Sequence, residues 1–238
     1  MSSTPLRSTA VDQASDMQPA ALANNRPKVC EDPLPCFARW RERLIAAERS
    51  TGWFDECDDA GRFLAVNREM VDALAPALRR FAGSGPVLEV CAGAGELARP
   101  LAALGVRLQA TDAEPPDGSE VLRMSAEAAL RHFQPDVVLG VFVPHDAGVD
   151  EMVLACPSVQ HYVIVNARIG GSLGSPSLWS APGWKSEPLE DIRRWVITRH
   201  DVWLGHAGEN NGDILQHGEV WHFVRTAATP PTEERSSS

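Results

Sequence analysis

Apolar residues recur at helical spacing in two stretches near the front of the chain: Phe37, Trp40, Leu44 and Ile45, then Phe63, Val66, Met70, Leu74 and Leu78. Intervals of three and four put such side chains on one face, so two helices are predicted between Pro35 and Ala82. Their connection, Ser50 to Gly61, sets Trp53 and Phe54 beside Asp55, Glu56, Asp58 and Asp59. Large aromatics in a polar connection suggest a cover over something. From Pro86 the pattern changes to short apolar runs, at Val87 to Val90, Val106 to Ala110, Val121 to Met124, Val137 to Val143 and Tyr162 to Val165. Helical segments separate them, at Leu97 to Leu104, Ala126 to Phe133 and Val149 to Leu154. Such alternation predicts a parallel sheet covered on both faces, a doubly wound α/β domain.

Beyond Ala167 a Gly- and Ser-rich connection runs through Arg168, Gly170, Gly171, Ser172, Gly174 and Ser175 to Gly183. A long loop at the carboxyl edge of such a sheet is usually functional. A short helix is expected from Pro188 to Arg194. The alternating runs Val196 to Leu204 and Glu219 to Arg225, joined by Glu209-Asn210-Asn211-Gly212, read as an antiparallel pair.

Composition then narrows the function. Residues 1–27 and 226–238 are poor in large apolar groups and are expected to be flexible tails around one domain, residues 28–225. The net charge of −10 weighs against a protein that neutralises many phosphates, so nucleic acid is a disfavoured partner. Lys28 and Lys185 are the only lysines, and no G-x-x-x-x-G-K-[ST] phosphate loop exists. The cysteines at 30, 36, 57, 91 and 156 form no C-x-x-C pair, and no Cys/His set has zinc spacing, so no metal is expected. No run approaches the roughly 20 apolar residues of a membrane span. A cytoplasmic protein without membrane association is expected, and a homodimer is allowed.

The most informative segment is Val87-Leu88-Glu89-Val90-Cys91-Ala92-Gly93-Ala94-Gly95-Glu96-Leu97. A strand enters small residues and then a helix, which lets backbone N–H groups approach a ligand closely. The next strand ends in Asp112, close to the ~20-residue interval at which a carboxylate meets the vicinal hydroxyls of a ribose. Together these residues predict a nucleoside-containing cofactor across the carboxyl ends of the first two strands.

From Pro86 to Arg225 the arrangement resembles the class I S-adenosylmethionine-dependent methyltransferases. Their first motif reads acidic-x-Gly-x-Gly-x-Gly, and Glu89-x-Cys91-x-Gly93-x-Gly95 matches it except that Cys91 replaces the first glycine. The resemblance implies a Rossmann-like seven-stranded sheet with an antiparallel last strand, here behind two extra N-terminal helices, and S-adenosylmethionine as cofactor. It further implies that Glu89, Cys91, Gly93 and Gly95 form the cofactor turn and that Asp112, with Ala113 beside it, holds the ribose. Met124, Ser125, Ala126 and Glu127 would meet the adenine, and Phe142 and Val143 would line the cofactor's other side. A Rossmann dehydrogenase using NAD fits less well, because G-x-G-x-x-G requires a third glycine where Ala98 stands.

Methyl transfer demands little beyond in-line approach, exclusion of water and, for some nucleophiles, loss of a proton. His145, at the end of the fourth strand, is the candidate general base, while Asp146 reads as the cap of the following helix. Asn166 and Arg168, after the fifth strand, are candidate acceptor ligands together with Trp53 and Phe54. Trp179 and Trp184 would flank the same mouth. His200, His206, His217 and His222 read as core or surface residues. The absence of Asn-Pro-Pro-Tyr after the fourth strand speaks against amino methylation of nucleobases or glutamine, which leaves a small-molecule acceptor as the expectation. The alternatives are a cofactor-binding protein that does not transfer methyl, for which Cys91 is the hint, and an enzyme that uses the sulfonium otherwise, as in a cyclisation.

Overall fold

The structure, a computed structural model, describes residues 34–169, 173–205 and 213–226. Both expected tails, apart from Thr226, lie outside these residues, as do the Glu209-to-Gly212 turn and His206. Three helices come first: α1 (Phe37–Glu48), α2 (Trp53–Asp59) and α3 (Arg68–Ala82). The aromatic connection between the two expected helices is thus itself a helix. Asn67 sets the start of α3, its side-chain oxygen accepting from Met70 N–H at 2.9 Å while its amide donates to the carbonyls of Ala65 and Trp195.

The core then alternates strand and helix: β1 (Val87–Val90), α4 (Ala98–Ala103), β2 (Leu108–Asp112), β3 (Leu122–Arg123), α5 (Ala126–Phe133), β4 (Val137–Val141), α6 (Val149–Ala155) and β5 (His161–Ala167). A 3-10 turn at Pro176–Ser180 leads to β6 (Trp184–Pro188), α7 (Glu190–Arg193), β7 (Val202–Trp203), β8 (Ile214–Leu215) and β9 (Gly218–Arg225). Seven strands form one sheet in the order β3-β2-β1-β4-β5-β9-β6, in which β9 runs antiparallel to both its neighbours. The strand order reverses between the parallel neighbours β1 and β4, the point where ligands sit in open α/β sheets.

The two faces of the sheet bury separate clusters. Met70, Leu74 and Leu78 of α3, Leu101 of α4 and Ile192 of α7 cover Val87, Leu139, Val163 and Val220. Leu130 of α5 and Val149 and Val153 of α6 cover Leu88, Val90, Val138 and Phe223. Strand side chains alternate between faces, so each continuous apolar run feeds both clusters.

The antiparallel pairing differs from expectation. Val196 and Ile197 are fully buried but lie outside any strand; of that run Val202 and Trp203 pair with β8, and Thr198 makes a single antiparallel bridge to Leu64. The partners of β9 are β5 and β6. Trp-Lys-Ser-Glu-Pro, the sequence of β6, has no apolar alternation because it is an exposed edge whose polar side chains discourage further pairing.

Candidate functional site

The glycine turn closes against the end of β2. Gly93 N–H donates to Asp112 Oδ2 at 2.8 Å, and Glu114 N–H donates to Oδ1 at the same distance. Gly93 (φ 54°) and Gly95 (φ 72°) both take the left-handed conformation that favours glycine, and a Cβ on Gly95 would come within 2.8 Å of Val121 Cγ2. The turn and the β2 carboxylate therefore form one structure, as their spacing predicted. Met124 N–H donates to the carbonyl of Asp112 at 2.8 Å, which brings the start of α5 alongside. Ser125 caps α5 through its hydroxyl, accepting from Ala128 N–H at 3.3 Å, and Ala113 and Ser125 are exposed beside half-buried Ala126.

Beneath the turn, Glu89 is buried in β1 and its Oε2 has no hydrogen-bond partner among the described residues. Burial alone lifts its carboxyl to about 8. Cys91 follows with φ 55°, so it occupies the left-handed backbone that its glycine counterpart would take without strain. Burial and the nearby Asp112 and Asp150 carboxylates push its thiol up to about 11, so it is a thiol rather than a thiolate at neutral pH. Phe142, one residue past β4, has φ 51°. Two non-glycine residues in left-handed backbone thus end the adjacent strands β1 and β4, and strain of this kind concentrates at ligand sites.

The acceptor candidates separate. His145 is exposed in the turn after β4. Asp146 does not cap α6: that helix begins at Val149 behind Gly148, whose left-handed φ of 63° turns the chain instead. Asn166 is buried with its carbonyl oxygen accepting from Ala167 N–H, and Arg168 pairs with Glu219 at 3.7 Å. Both sit at the carboxyl end of β5 as expected. Trp53 does not cover the mouth. It is fully buried, lies edge-on to Trp40, and donates its indole N–H to the carbonyl of Thr198 at 2.8 Å, because the polar helix around it needs one large apolar anchor. Phe54, next along the helix, faces out and lies 5.5 Å from the His200 ring.

Trp184 and Trp179 also lie elsewhere. Trp184 pairs with Arg225, past the residue of β9 that faces the first residue of β5, so it belongs to the opposite edge of the sheet from Asn166. Trp179 packs on Trp221 and Phe223. His200 does not alternate along a strand but stands in a turn, and His222 lies within β9, bonded to His161 at 2.9 Å and to Glu187 at 3.0 Å.

The sequence reading missed a wall at the mouth. Phe63, half exposed, lies 5.6 Å from Phe142, and the Arg199 guanidinium covers its other side at 3.9 Å. Arg199 also covers Phe54 at 5.1 Å and pairs with Asp58 at 3.2 Å. His200 accepts from Arg199 Nε, and burial, then Arg199 and His217, hold its imidazole below the ordinary value. The contacts of Arg199 with Phe54, Asp58 and Phe63 span more than a hundred residues of sequence, and no local pattern announces them.

No family model matches the chain, and no curated protein does. Solved structures do. The magnesium protoporphyrin IX methyltransferase of Synechocystis with bound S-adenosylmethionine is similar at 13% identity and a TM-score of 0.39, over 66% of this chain and 78% of that one. A methyltransferase of Agrobacterium tumefaciens dependent on S-adenosylmethionine is similar at 12% and 0.40, over 66% and 61%. The 23S rRNA methyltransferase ErmE is similar at 18% and 0.37, over 69% and 70%. By its own strand order and its single antiparallel strand, the chain has the Rossmann-like fold of the class I S-adenosylmethionine-dependent methyltransferases.

Proposed function

We propose that the protein is an S-adenosylmethionine-dependent methyltransferase with a small-molecule acceptor. The observation that carries this reading is the junction of Gly93 N–H with the Asp112 carboxylate, which joins a glycine turn and a ribose-type acid at the carboxyl ends of β1 and β2. The residues fit the cofactor. Asp112 keeps lone pairs for two ribose hydroxyls, since each oxygen accepts only one backbone N–H. Glu89, buried and protonated at neutral pH with no partner for Oε2 among the described residues, would give up its proton on meeting a cationic group at the turn and become its counter-charge. Cys91 would face the methionine part, Ala113, Ser125 and Ala126 the adenine, and Phe142 the side nearest the acceptor.

When bound, the cofactor supplies an electrophilic methyl group on a sulfonium. The chain's part is to hold the acceptor in line and keep water away. Phe63, Phe54 and Phe142 offer flat apolar surface for a small acceptor, and Asn166 and Arg168 frame its polar side. The acidic net charge supports a small molecule over a nucleic acid. Cys91, a side chain where backbone would otherwise approach, supports the second reading of a binding protein that does not transfer.

Calorimetric titration with S-adenosylmethionine, S-adenosylhomocysteine and NAD tests the cofactor. Micromolar binding of the two sulfur nucleosides without NAD is expected; binding of NAD alone would make the protein a dehydrogenase. Release of S-adenosylhomocysteine with an acceptor mixture distinguishes transfer from binding.

A further inference from the structure

We propose that His217 is the general base of the acceptor site and that the acceptor is a neutral aromatic hydroxyl compound. This rests on the methyltransferase reading. His217 stands immediately before β9, at the carboxyl edge of the sheet beside the end of β5. Its backbone is fixed from two sides. Its carbonyl accepts from Arg168 N–H at 2.8 Å, and its own N–H donates at 2.9 Å to Oδ1 of Asp201, a carboxylate only 1% exposed that the N–H and hydroxyl of Thr198 also hold.

The ring is oriented as well. Its Nδ1 lies 3.2 Å from the backbone carbonyl oxygen of Arg168. A carbonyl can only accept, so Nδ1 carries the proton and Nε2 presents the lone pair. No described residue hydrogen-bonds Nε2. The other histidines are differently placed. Arg199 Nε donates to Nε2 of His200 at 3.2 Å, which occupies that lone pair. His145 is exposed, with no hydrogen-bond partner among the described residues to fix its tautomer, and His161 and His222 bond each other within the sheet.

The surroundings set the acceptor class. The wall of Phe142, Phe63 and Phe54 suits a flat ring. Its cation is already neutralised, Arg199 by Asp58, and Arg168 beside His217 is paired with Glu219. Among the described residues, no unpaired charge of that wall calls for an ionic acceptor. Among the described residues, the titratable and charged groups that touch or couple to His217 are Arg168, Asp201 and His200, with Glu219 paired to Arg168 and Arg199 donating to His200.

A phenolic hydroxyl is mostly protonated at neutral pH and is a poor nucleophile, so its transfer benefits from a base where an amine's lone pair does not. In the step, the O–H proton passes to Nε2 of His217. An oxygen lone pair forms the O–CH3 bond while the C–S bond of the sulfonium breaks, and that electron pair stays on sulfur as a neutral thioether.

The test uses the full chain, S-adenosylmethionine, and a panel of phenol, guaiacol and 4-nitrophenol. The informative variant is His217→Asn, whose amide N–H can still reach the Arg168 carbonyl. Wild type is expected to methylate at least one phenol with an acidic limb in its kcat/KM profile. H217N is expected to lose about 10²–10⁴-fold in kcat and the acidic limb, with cofactor affinity and phenol KM within about threefold. Independently, the nitrogen-resolved NMR spectrum of the His217 ring should show a protonated Nδ1 and a bare Nε2 that shifts with added phenol. A folded H217N within threefold of wild type in kcat, the opposite tautomer, or no transfer to any phenol by a protein that binds the cofactor overturns the proposal. Absence of cofactor binding in calorimetry overturns the methyltransferase reading itself, and the proposal with it.

Discussion

Glu89→Gln should reveal the cost of keeping an acid beneath the cofactor turn. The folded carboxyl titrates near 8 against an ordinary 4.5, because burial disfavours the charge and nothing donates to Oε2. A carboxyl raised in this way leaves stability intact below pH 4.5 and drains it as the pH climbs from 4.5 to about 8, the interval in which only the folded state holds the proton. At about 1.4 kcal/mol per pH unit, the loss is on the order of 3 kcal/mol at pH 7, and a further 1–2 kcal/mol is lost by pH 9. Urea unfolding of the ligand-free protein at pH 6 and 9 should therefore show wild type losing about 2–3 kcal/mol more than E89Q over that range. The same titration should couple to the ligand: if a cationic group meets Glu89, binding at pH 7 releases nearly one proton, measured as a dependence of binding heat on buffer ionisation enthalpy. Equal pH slopes for the two proteins would refute the buried acid.

Asp112→Ala should weaken S-adenosylmethionine by about 1.5–3 kcal/mol in calorimetry, since it removes bonds to a charged acceptor and frees Gly93 N–H from the turn. At Cys91, where φ is 55°, Cys91→Gly should hold or gain stability in thermal unfolding while Cys91→Val, β-branched in left-handed backbone, loses about 1–2 kcal/mol. Trp53→Ala should lose about 3–5 kcal/mol in urea unfolding through cavity and bond loss, with cofactor affinity in the surviving folded protein unchanged, as suits a core residue.

Contiguous features were legible in the sequence. The glycine turn and Asp112 lie on adjacent parallel strands, so strand alternation plus one interval sufficed to bring them together, and α5 begins and ends where its apolar spacing starts and stops. What escaped was set by tertiary context. Trp53 looks like a surface aromatic among acids, and only its packing with Trp40, Leu44 and Ile197, with its bond to the carbonyl of Thr198, makes it core. The strand β6 has an edge composition without periodicity, and Gly148 displaced Asp146 as the turn before α6 because its left-handed φ decided where the helix could begin. The Phe63–Arg199 stack joins segments far apart in the chain, beyond any local signal.

That same docking of front on back has a consequence for biosynthesis. Trp53 reaches Thr198, Asn67 reaches Trp195, and Ala65 N–H donates to the carbonyl of Ile197. On the ribosome, α1 and α2 emerge long before the segment that completes their packing has been made, and the loop to be closed spans most of the fold. The N-terminal layer that carries Phe54 and Phe63 must therefore wait, its apolar face uncovered, until the segment through Thr198 has left the exit tunnel. This layer cannot be completed before Thr198 is made, and truncation anywhere before Thr198 would leave a nascent protein with its aromatic face open to chaperones.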